Sequence, residues 1–226
     1  MNISHEVPIC LLDESRKFND YDYALVHLFD KFEEYKKFYI ESLKLNREVY
    51  LDNSAFELET MFDHKKFAKA ASELSDINSK NFYYIVPDSL ENYKETKQSF
   101  IDFTNKYKIK GKKIGVVQGK TFAELLDCFK FMKENADVIA ISFDYSYYLK
   151  NNQVNKFKQY MVGRQSFINF LNNNGYLKNT KIHLLGCSLP QEFSVYKEIK
   201  EIVSCDTSNP IVHGIINIEY KNKYNV

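Results

Sequence analysis

The feature that most limits the fold of this chain is a regular alternation of short strand-like runs with longer amphipathic segments. Strands that alternate with helices form parallel βαβ units, and eight such units in a row predict an α/β fold of the (β/α)8 TIM barrel type. The eight predicted strands are Val7–Leu12, Tyr23–Leu28, Glu48–Leu51, Phe82–Val86, Lys113–Val117, Val138–Phe143, Ile182–Leu185 and Glu201–Cys205.

Most of the intervals between these runs have the 3.6-residue periodicity of amphipathic helices. No linker-like stretch marks a boundary, so we predict one compact barrel domain over residues 1–226. A doubly wound open sheet is the structural alternative. The predicted helices are Glu33–Leu45, Phe67–Leu74, Tyr93–Tyr107, Phe122–Lys133 and Gln165–Asn172.

Charge and hydropathy exclude several classes of protein. The 31 basic and 30 acidic residues leave a net charge of +1, so no global field attracts nucleic acid or membrane. No apolar run reaches the roughly 20 residues that span a bilayer, and no signal-peptide layout opens the chain. We therefore expect a cytoplasmic protein without membrane contact. The four scattered cysteines are predicted to be buried thiols, and no metal or cofactor is expected.

Polar residues gather where the predicted strands end. Because the carboxyl ends of parallel barrel strands open at one mouth, these side chains are expected to share a site. Two well-separated carboxylates among them suggest chemistry at a sugar carbon, although an Asp after a strand also suits a helix cap. The residues concerned are Asp52, Asp88, Gln118, Asp144 and Asp206.

The segment Tyr145–Arg164 is predicted as a long loop after the sixth strand. Its mixture of tyrosines and basic residues suits base stacking and phosphate contact; a solvated loop over the barrel mouth is the alternative. The densest basic run, Lys106–Lys113, precedes the fifth strand and so belongs to the opposite face. Nucleic-acid contacts are predicted at Lys120, Lys156, Lys158 and Arg164.

Several strand endings match the motifs of one family. LDNSAFE (51–57) looks like SDSGGFQ, GVVQG (115–119) like GIVQGG, HLLGCSLP (183–190) like YLMGVGTP, and SCDTSNP (204–210) like FDCVxPTR. VPDS (86–89) falls where that family carries a base-reading Asp. In this order the motifs resemble those of the tRNA-guanine transglycosylase superfamily, which includes phage and bacterial enzymes that insert 7-deazaguanines into DNA. The matched segments amount to about thirty residues.

The resemblance implies a role for each matched residue. Asp206 would be the nucleophile that attacks C1′ and expels guanine, and Asp52 the general acid and base. Asp88 and Gln118 would read the edge of the base, on which Phe56 would stack. Gly119 would permit close approach, and Asn53, Ser54, Asp144 and Gly186 would complete the base site. His183 and His213 are predicted to be structural.

Departures from the family pattern bear on the substrate. The clustered cysteines of the family's zinc motif are absent, which favours DNA over tRNA as the nucleic acid. Ile141–Asp144 stands where the family has a Gly-rich segment, and Ser54-Ala55 where it has a Gly pair. The second substrate would be a free 7-deazaguanine base, and a homodimer is left open. The alternatives are a nucleoside or nucleotide N-glycosidase using the same Asp pair, and a non-catalytic subunit that binds nucleic acid or a partner.

Overall fold

The computed structural model of the protein describes residues 1–58 and 63–218, which form a barrel of eight parallel strands. The strands pair in the order β1-β8-β7-β6-β5-β4-β3-β2, so the predicted barrel is confirmed and the open-sheet alternative is wrong. The strands are β1 (Asn2–His5), β2 (Asp22–Leu25), β3 (Val49–Asp52), β4 (Phe82–Ile85), β5 (Lys112–Val116), β6 (Val138–Ser142), β7 (Ile182–Leu185) and β8 (Ile202–Thr207).

Helices on the outside of the barrel follow most strands, and side-chain caps fix several of their amino ends. Asp63, Asn92 and Asn155 each accept from backbone N–H groups in the first turn that follows, and Thr121 forms a capping box with Glu124. The helices are α1 (Leu12–Ser15), α2 (Glu33–Lys44), α3 (Ala55–Leu58), α4 (His64–Asn78), α5 (Tyr93–Lys106), α6 (Phe122–Asn135), α7 (Lys156–Asn173) and α8 (Asn209–Ile216).

Side chains bridge the seam between β1 and β2. Asp20 accepts from the N–H of Ile3 at 2.8 Å and donates its own N–H to the Ile3 carbonyl at 3.0 Å. Asn19 Oδ1 accepts from the N–H of His5 at 2.7 Å, and Asn19 Nδ2 donates to the His5 carbonyl at 3.0 Å. These two residues take the place of a strand ladder and bring the ring of strands close to closure.

The barrel interior is a packed core lined with tyrosines. Tyr21 lies 4.5 Å from Tyr50, and Tyr50 lies 4.4 Å from Tyr83, between ring centroids. His183 from β7 joins this stack of rings. A second apolar layer lies between the strands and the helices. The interior supports the carboxyl-end mouth from below with rigid aromatic side chains.

Two predictions about secondary structure are wrong. The first strand is Asn2–His5, whereas the predicted run Val7–Leu12 contains a short 3-10 helix (Ile9–Leu11) and the first residue of α1. The segment Tyr145–Arg164 is not a loop: it contains a 3-10 helix (Ser146–Lys150) and the first half of α7. Gly163 on α7 lets that helix contact Tyr148, because a Cβ there would collide with the tyrosine.

Candidate active site

The carboxyl ends of the strands surround a cavity of about 550 Å³. Every strand ending that was singled out from the sequence contributes to it, together with the first turns of α3, α7 and α8. The five predicted residues Asp52, Asp88, Gln118, Asp144 and Asp206 all line this cavity.

Asp52 ends β3 and is held by two donors. The Tyr23 hydroxyl donates to Oδ2 at 2.5 Å, and the N–H of Ser54 donates to Oδ1 at 2.5 Å. Ser54 adopts a left-handed conformation with φ 59°, which turns its N–H back toward Asp52. Burial raises the pKa of Asp52 to about 8, with a further contribution from the charge of Glu57, against the lowering effect of the two hydrogen bonds. The carboxyl therefore carries a proton at neutral pH.

Asp206 lies on β8 and also accepts bonds from two groups. Nε2 of His183 lies 2.9 Å from Oδ1, and the N–H of Gly186 donates to both oxygens, at 3.1 and 3.2 Å. Gly186 has φ 66°, a conformation that L side chains rarely adopt. Asp206 is only 4% exposed, so these donors replace solvent around its carboxylate.

Asp88 follows β4 and is clamped by two amides. Nδ2 of Asn53 donates to Oδ1 at 2.7 Å, and Nε2 of Gln118 donates to Oδ2 at 2.7 Å. Burial raises the pKa of Asp88, and these two hydrogen bonds act in the opposite direction. Gln118 Oε1 accepts from the N–H of Glu91 at 2.8 Å, which fixes the orientation of its amide. Each oxygen of Asp88 keeps a lone pair for a ligand.

Two carboxylates at the mouth were missed in the sequence. Glu6 directly follows β1, and burial together with the charges of Asp206, Glu57 and Asp52 raises its pKa well above the usual range. Glu57, on α3, lines the same cavity, and its pKa is raised by burial and by Asp206. The sequence pattern does not single out Glu6, because it predicts the first strand at Val7–Leu12, whereas Glu6 directly follows the observed strand at Asn2–His5.

His183 lies directly beneath the cavity. It was predicted to be structural, yet its ring is fully buried beneath the cavity and contacts Asp206 directly. In the sequence, His183 is a single polar residue within an apolar strand, and nothing in that pattern indicates its contact with Asp206. His213, the other histidine predicted to be structural, is buried on α8 with Nδ1 3.0 Å from the Ile218 carbonyl.

Arg164 is not a surface contact for nucleic acid, contrary to the sequence prediction. It is 0% exposed and forms a bidentate pair with Glu192, at 2.7 and 2.9 Å. Its Nη1 also donates to the carbonyls of Ile141, Leu185 and Gly186. Arg164 thus ties β6 to the segment that presents the Gly186 N–H to Asp206.

The remaining predicted residues divide into those at the cavity and those away from it. Phe56 is 63% exposed on the rim, and Lys156 opens α7 at the same rim. Asn53 and Gly186 line the cavity. Ser54 is not part of the lining, and its N–H donates to Asp52. Gly119 is not among the residues that line the cavity. A Cβ on Gly119 would lie 2.7 Å from that of Glu124, so close packing against α6 requires the glycine.

Lys120 and Lys158 lie outside the cavity lining. Lys120 is exposed just before α6, and Lys158 is partly buried in the first turn of α7. The basic run Lys106–Lys113 connects α5 to the start of β5 and so belongs to the opposite end of the barrel.

The cavity is strongly acidic. Among the described residues that line it, Lys156 is the one basic side chain, against six carboxyl groups. Within residues 1–58 and 63–218, no three His, Cys, Asp or Glu side chains are arranged to hold a metal ion. Carboxyl groups can transfer protons, attack as nucleophiles and accept from N–H-rich ligands. The six carboxyl groups are those of Glu6, Asp52, Glu57, Asp88, Asp144 and Asp206.

The cysteines and helices add two further observations. Cys10 is exposed, contrary to the prediction that all four cysteines are buried, and Cys128, Cys187 and Cys205 are buried and free. In the part of the chain that the structure describes, no helix combines the length and apolar character needed to cross a bilayer.

Comparison with known proteins shows similarity in structure only. No protein-family model matches the chain, and no curated protein sequence matches it. A phosphonomutase-like protein from Burkholderia cenocepacia is 8% identical, with a TM-score of 0.48 over 95% of this chain and 89% of that one. N-acetylneuraminate lyase from Mycoplasma synoviae is 9% identical, with a TM-score of 0.46 over 95% of this chain and 71% of that one. Neither similarity carries an argument about function.

Proposed function

We propose that this protein is a base-exchange transglycosylase that replaces guanine in nucleic acid, preferably DNA, with a 7-deazaguanine. The observation that carries the proposal is the pair Asp52 and Asp206, which face one cavity with different partners. Asp52 is protonated at neutral pH, and Asp206 accepts from a backbone N–H and an imidazole. Two carboxyl groups in unlike environments are what acid and nucleophile roles require.

In the first displacement, an oxygen of Asp206 attacks C1′ of the target nucleotide. The C1′–N9 bond breaks, its electron pair goes to the departing guanine, and the Asp52 carboxyl supplies a proton to that base. The nucleic acid is then joined to Asp206 through an ester-like C1′–O bond. A pKa of about 8 suits Asp52 to this step, because the acid is protonated at neutral pH yet able to release its proton.

In the second displacement, the incoming base attacks the same carbon. Its N9 forms the new bond to C1′, the C1′–O bond breaks, and Asp206 leaves as a carboxylate. The N9 proton passes to the ionised Asp52, which restores the acid for another cycle. Two inversions at one carbon retain its configuration, as in retaining glycosidases.

Asp88 is the proposed reader of the base. Its carboxylate can accept from the N1–H and N2–H groups of guanine, and a 7-deazaguanine presents the same edge. The clamp by Asn53 and Gln118 holds the carboxylate in one orientation. The second N–H of the Gln118 amide remains for O6, and Phe56 lies on the rim where a base can stack. One reader thus serves both the departing and the arriving base.

Nucleic acid would approach along the rim, where Lys156 lines the acidic cavity and Lys158 and Lys120 supply positive charge outside its lining. A duplex nucleotide must be flipped out of the stack to reach Asp206, at a cost of a few kcal/mol. DNA is preferred to tRNA in the proposal because the sequence has no cysteine cluster of the kind that forms the family's zinc motif.

The test is covalent trapping on a denaturing gel. The protein is incubated with guanine-containing DNA or tRNA, with and without free 7-deazaguanine bases. We expect a denaturant-resistant adduct in the wild type, none with Asp206→Asn, and exchange slowed roughly 10²–10⁴-fold with Asp52→Asn. Asp127→Asn, an exposed carboxylate on α6, is the matched control and should behave like the wild type.

Other outcomes favour the alternatives. Release of guanine without an acceptor base would indicate an N-glycosidase with water as acceptor. Binding of nucleic acid with neither adduct nor base release would indicate a non-catalytic subunit. An adduct that persists in Asp206→Asn and is lost in Asp52→Asn would reverse the two roles.

A further inference from the structure

His183 stands at the centre of a hydrogen-bonded chain that runs from the cavity into the barrel. Its Nε2 lies 2.9 Å from Asp206 Oδ1, and its Nδ1 lies 2.9 Å from Ser204 Oγ. Every member of the chain is less than one-tenth exposed. The imidazole therefore has two fixed partners and no access to bulk water.

These partners determine the tautomer of the imidazole. An ionised carboxylate only accepts, so the Nε2 that faces Asp206 carries the hydrogen. Nδ1 is then the acceptor, and the Ser204 hydroxyl donates to it. The Tyr23 ring, stacked on the imidazole at 6.0 Å between centroids, prevents the ring from turning away.

The same contacts make the two oxygens of Asp206 unequal. Oδ1 accepts from His183 at 2.9 Å and from the Gly186 N–H at 3.1 Å, whereas Oδ2 has only the Gly186 N–H, at 3.2 Å. The less engaged Oδ2 is the oxygen free to attack carbon. Oδ1 is the oxygen on which charge is stabilised.

We infer that His183 is a positioning residue that directs Oδ2 of Asp206 to C1′ and assists the departure of Asp206 in the second displacement. This inference rests on the proposed function. In the adduct, Oδ2 is bonded to C1′ and Oδ1 is an ester carbonyl. When N9 of the incoming base attacks, the C1′–Oδ2 electron pair returns to the carboxylate while the N9 proton goes to Asp52. The new negative charge is shared with Oδ1, where the His183 N–H donates.

A hydrogen bond to a carboxylate is stronger than one to an ester carbonyl. The His183 bond therefore favours free Asp206 over the adduct, and it matters most when the adduct breaks down. Removing it should slow breakdown roughly 10²-fold, as for the loss of one donor to a developing oxyanion. Adduct formation should change far less, because the same bond also restrains the nucleophile. A merely structural role would lower both rates together.

The experiment is rapid-quench kinetics that measures formation and breakdown of the adduct separately, the second by a chase with free 7-deazaguanine base. His183→Phe keeps the ring against Tyr23 and removes the donor, whereas His183→Gln restores an N–H donor on a side chain of similar reach. We expect the adduct to accumulate in His183→Phe, with breakdown slowed roughly 10²-fold, and breakdown to recover in part in His183→Gln. Equal effects on both rates, or no effect, would overturn the inference.

A second measurement is independent of activity. In the wild type, the imidazole ¹⁵N shifts of His183, assigned by elimination through single replacements of the other four histidines, should report the Nε2–H tautomer, and Ser204→Ala should leave that tautomer in place because Asp206 sets it. An Nδ1–H tautomer in the wild type would refute the hydrogen-bond assignment even if the His183→Phe variant does not fold. No adduct in the wild type would refute the proposed function and, with it, the role of His183. A wild-type adduct together with equal rate effects would refute that role alone.

Discussion

Tyr23 stacks on His183 with their ring centroids 6.0 Å apart and their planes 19° apart. Each ring holds one of the two principal carboxylates: the Tyr23 hydroxyl donates to Asp52, and His183 bonds to Asp206. The spacing of Asp52 and Asp206 is therefore set by two rings packed against each other inside the barrel. Positions fixed by core packing are more reproducible than positions fixed by loops.

Replacing Tyr23 with Phe should shift the pH dependence of adduct formation. The Tyr23 hydrogen bond lowers the pKa of Asp52, so its loss should raise that pKa above about 8. The alkaline limb of the rate of adduct formation, where Asp52 loses its proton, should then move to higher pH while the ring stack is kept. Single-turnover rates across pH measure this. Tyr107→Phe, on the outer layer after α5, should leave the profile unchanged, and a shift toward lower pH would contradict the assignment.

Stability should fall as pH rises through the range in which Asp52 is protonated only in the folded protein. The pKa of Asp52 is about 8 in the folded protein, whereas the ordinary pKa of an Asp side chain is 3.8. Folded protein thus binds the extra proton between these values, and the free energy of unfolding should drop by up to about 1.4 kcal/mol per pH unit from this group. Urea denaturation at several pH values should show a shallower drop in Asp52→Asn. If the free energy of unfolding falls as steeply with pH in Asp52→Asn as in the wild type, a group other than Asp52 holds the extra proton.

Gly186→Ala should reduce both stability and adduct formation. The added Cβ meets only Phe143, at 3.8 Å, so the cost is backbone strain at φ 66°, about 1–2 kcal/mol. Relief of that strain would move the N–H that binds Asp206. Gly175→Ala is a matched control, because Gly175 has φ 72° and open space around its Cα but lies in the connection from α7 to β7, at the end of the barrel opposite the mouth. It should lose similar stability in denaturation and retain full activity.

The sequence predicts the position of a residue when that position follows from the pattern of its immediate neighbours. It fails when the position depends on parts of the chain that are distant in sequence. Asp52, Asp88 and Asp206 could be placed at one mouth because each follows a recognisable apolar strand. Glu6 could not, because β1 is the polar segment Asn2–His5, which pairs through its backbone with β8 and lacks the pattern of a buried strand. Arg164 is wrongly predicted to contact nucleic acid because it belongs to a segment rich in basic and aromatic residues. Its actual partner, Glu192, lies 28 positions away in the sequence.

Truncating Arg164 should destabilise the fold rather than weaken nucleic-acid binding. Arg164→Met leaves the Glu192 carboxylate buried without its partner, at a cost of about 3–5 kcal/mol. The double variant Arg164→Met/Glu192→Leu removes both charges and should recover much of that loss. Denaturation of the single and double variants measures the coupling. A loss below about 0.5 kcal/mol in Arg164→Met, the range of ordinary surface changes, would contradict this account.

Lysines at the mouth should carry the salt dependence of DNA binding. Lys156→Ala together with Lys158→Ala should weaken binding and lower the slope of log K against log salt by roughly 0.9 for each lost phosphate contact. Lys108→Ala with Lys110→Ala, in the connection before β5, removes the same charge from the opposite face and should have little effect. Binding titrations at several salt concentrations decide between the faces, and the reverse result would move the nucleic-acid surface to the other end of the barrel.

Pairing of β1 with β8 has a consequence for the order of events during synthesis. Ser4 lies in register with Asp206, so β1 can pair with β8 only after all eight strands have been synthesised. Contacts between such distant parts of a chain form late and slow folding. Asp206 and Glu6 therefore come together only when the ring of strands is complete, and a nascent chain that stops short of β8 has no assembled mouth.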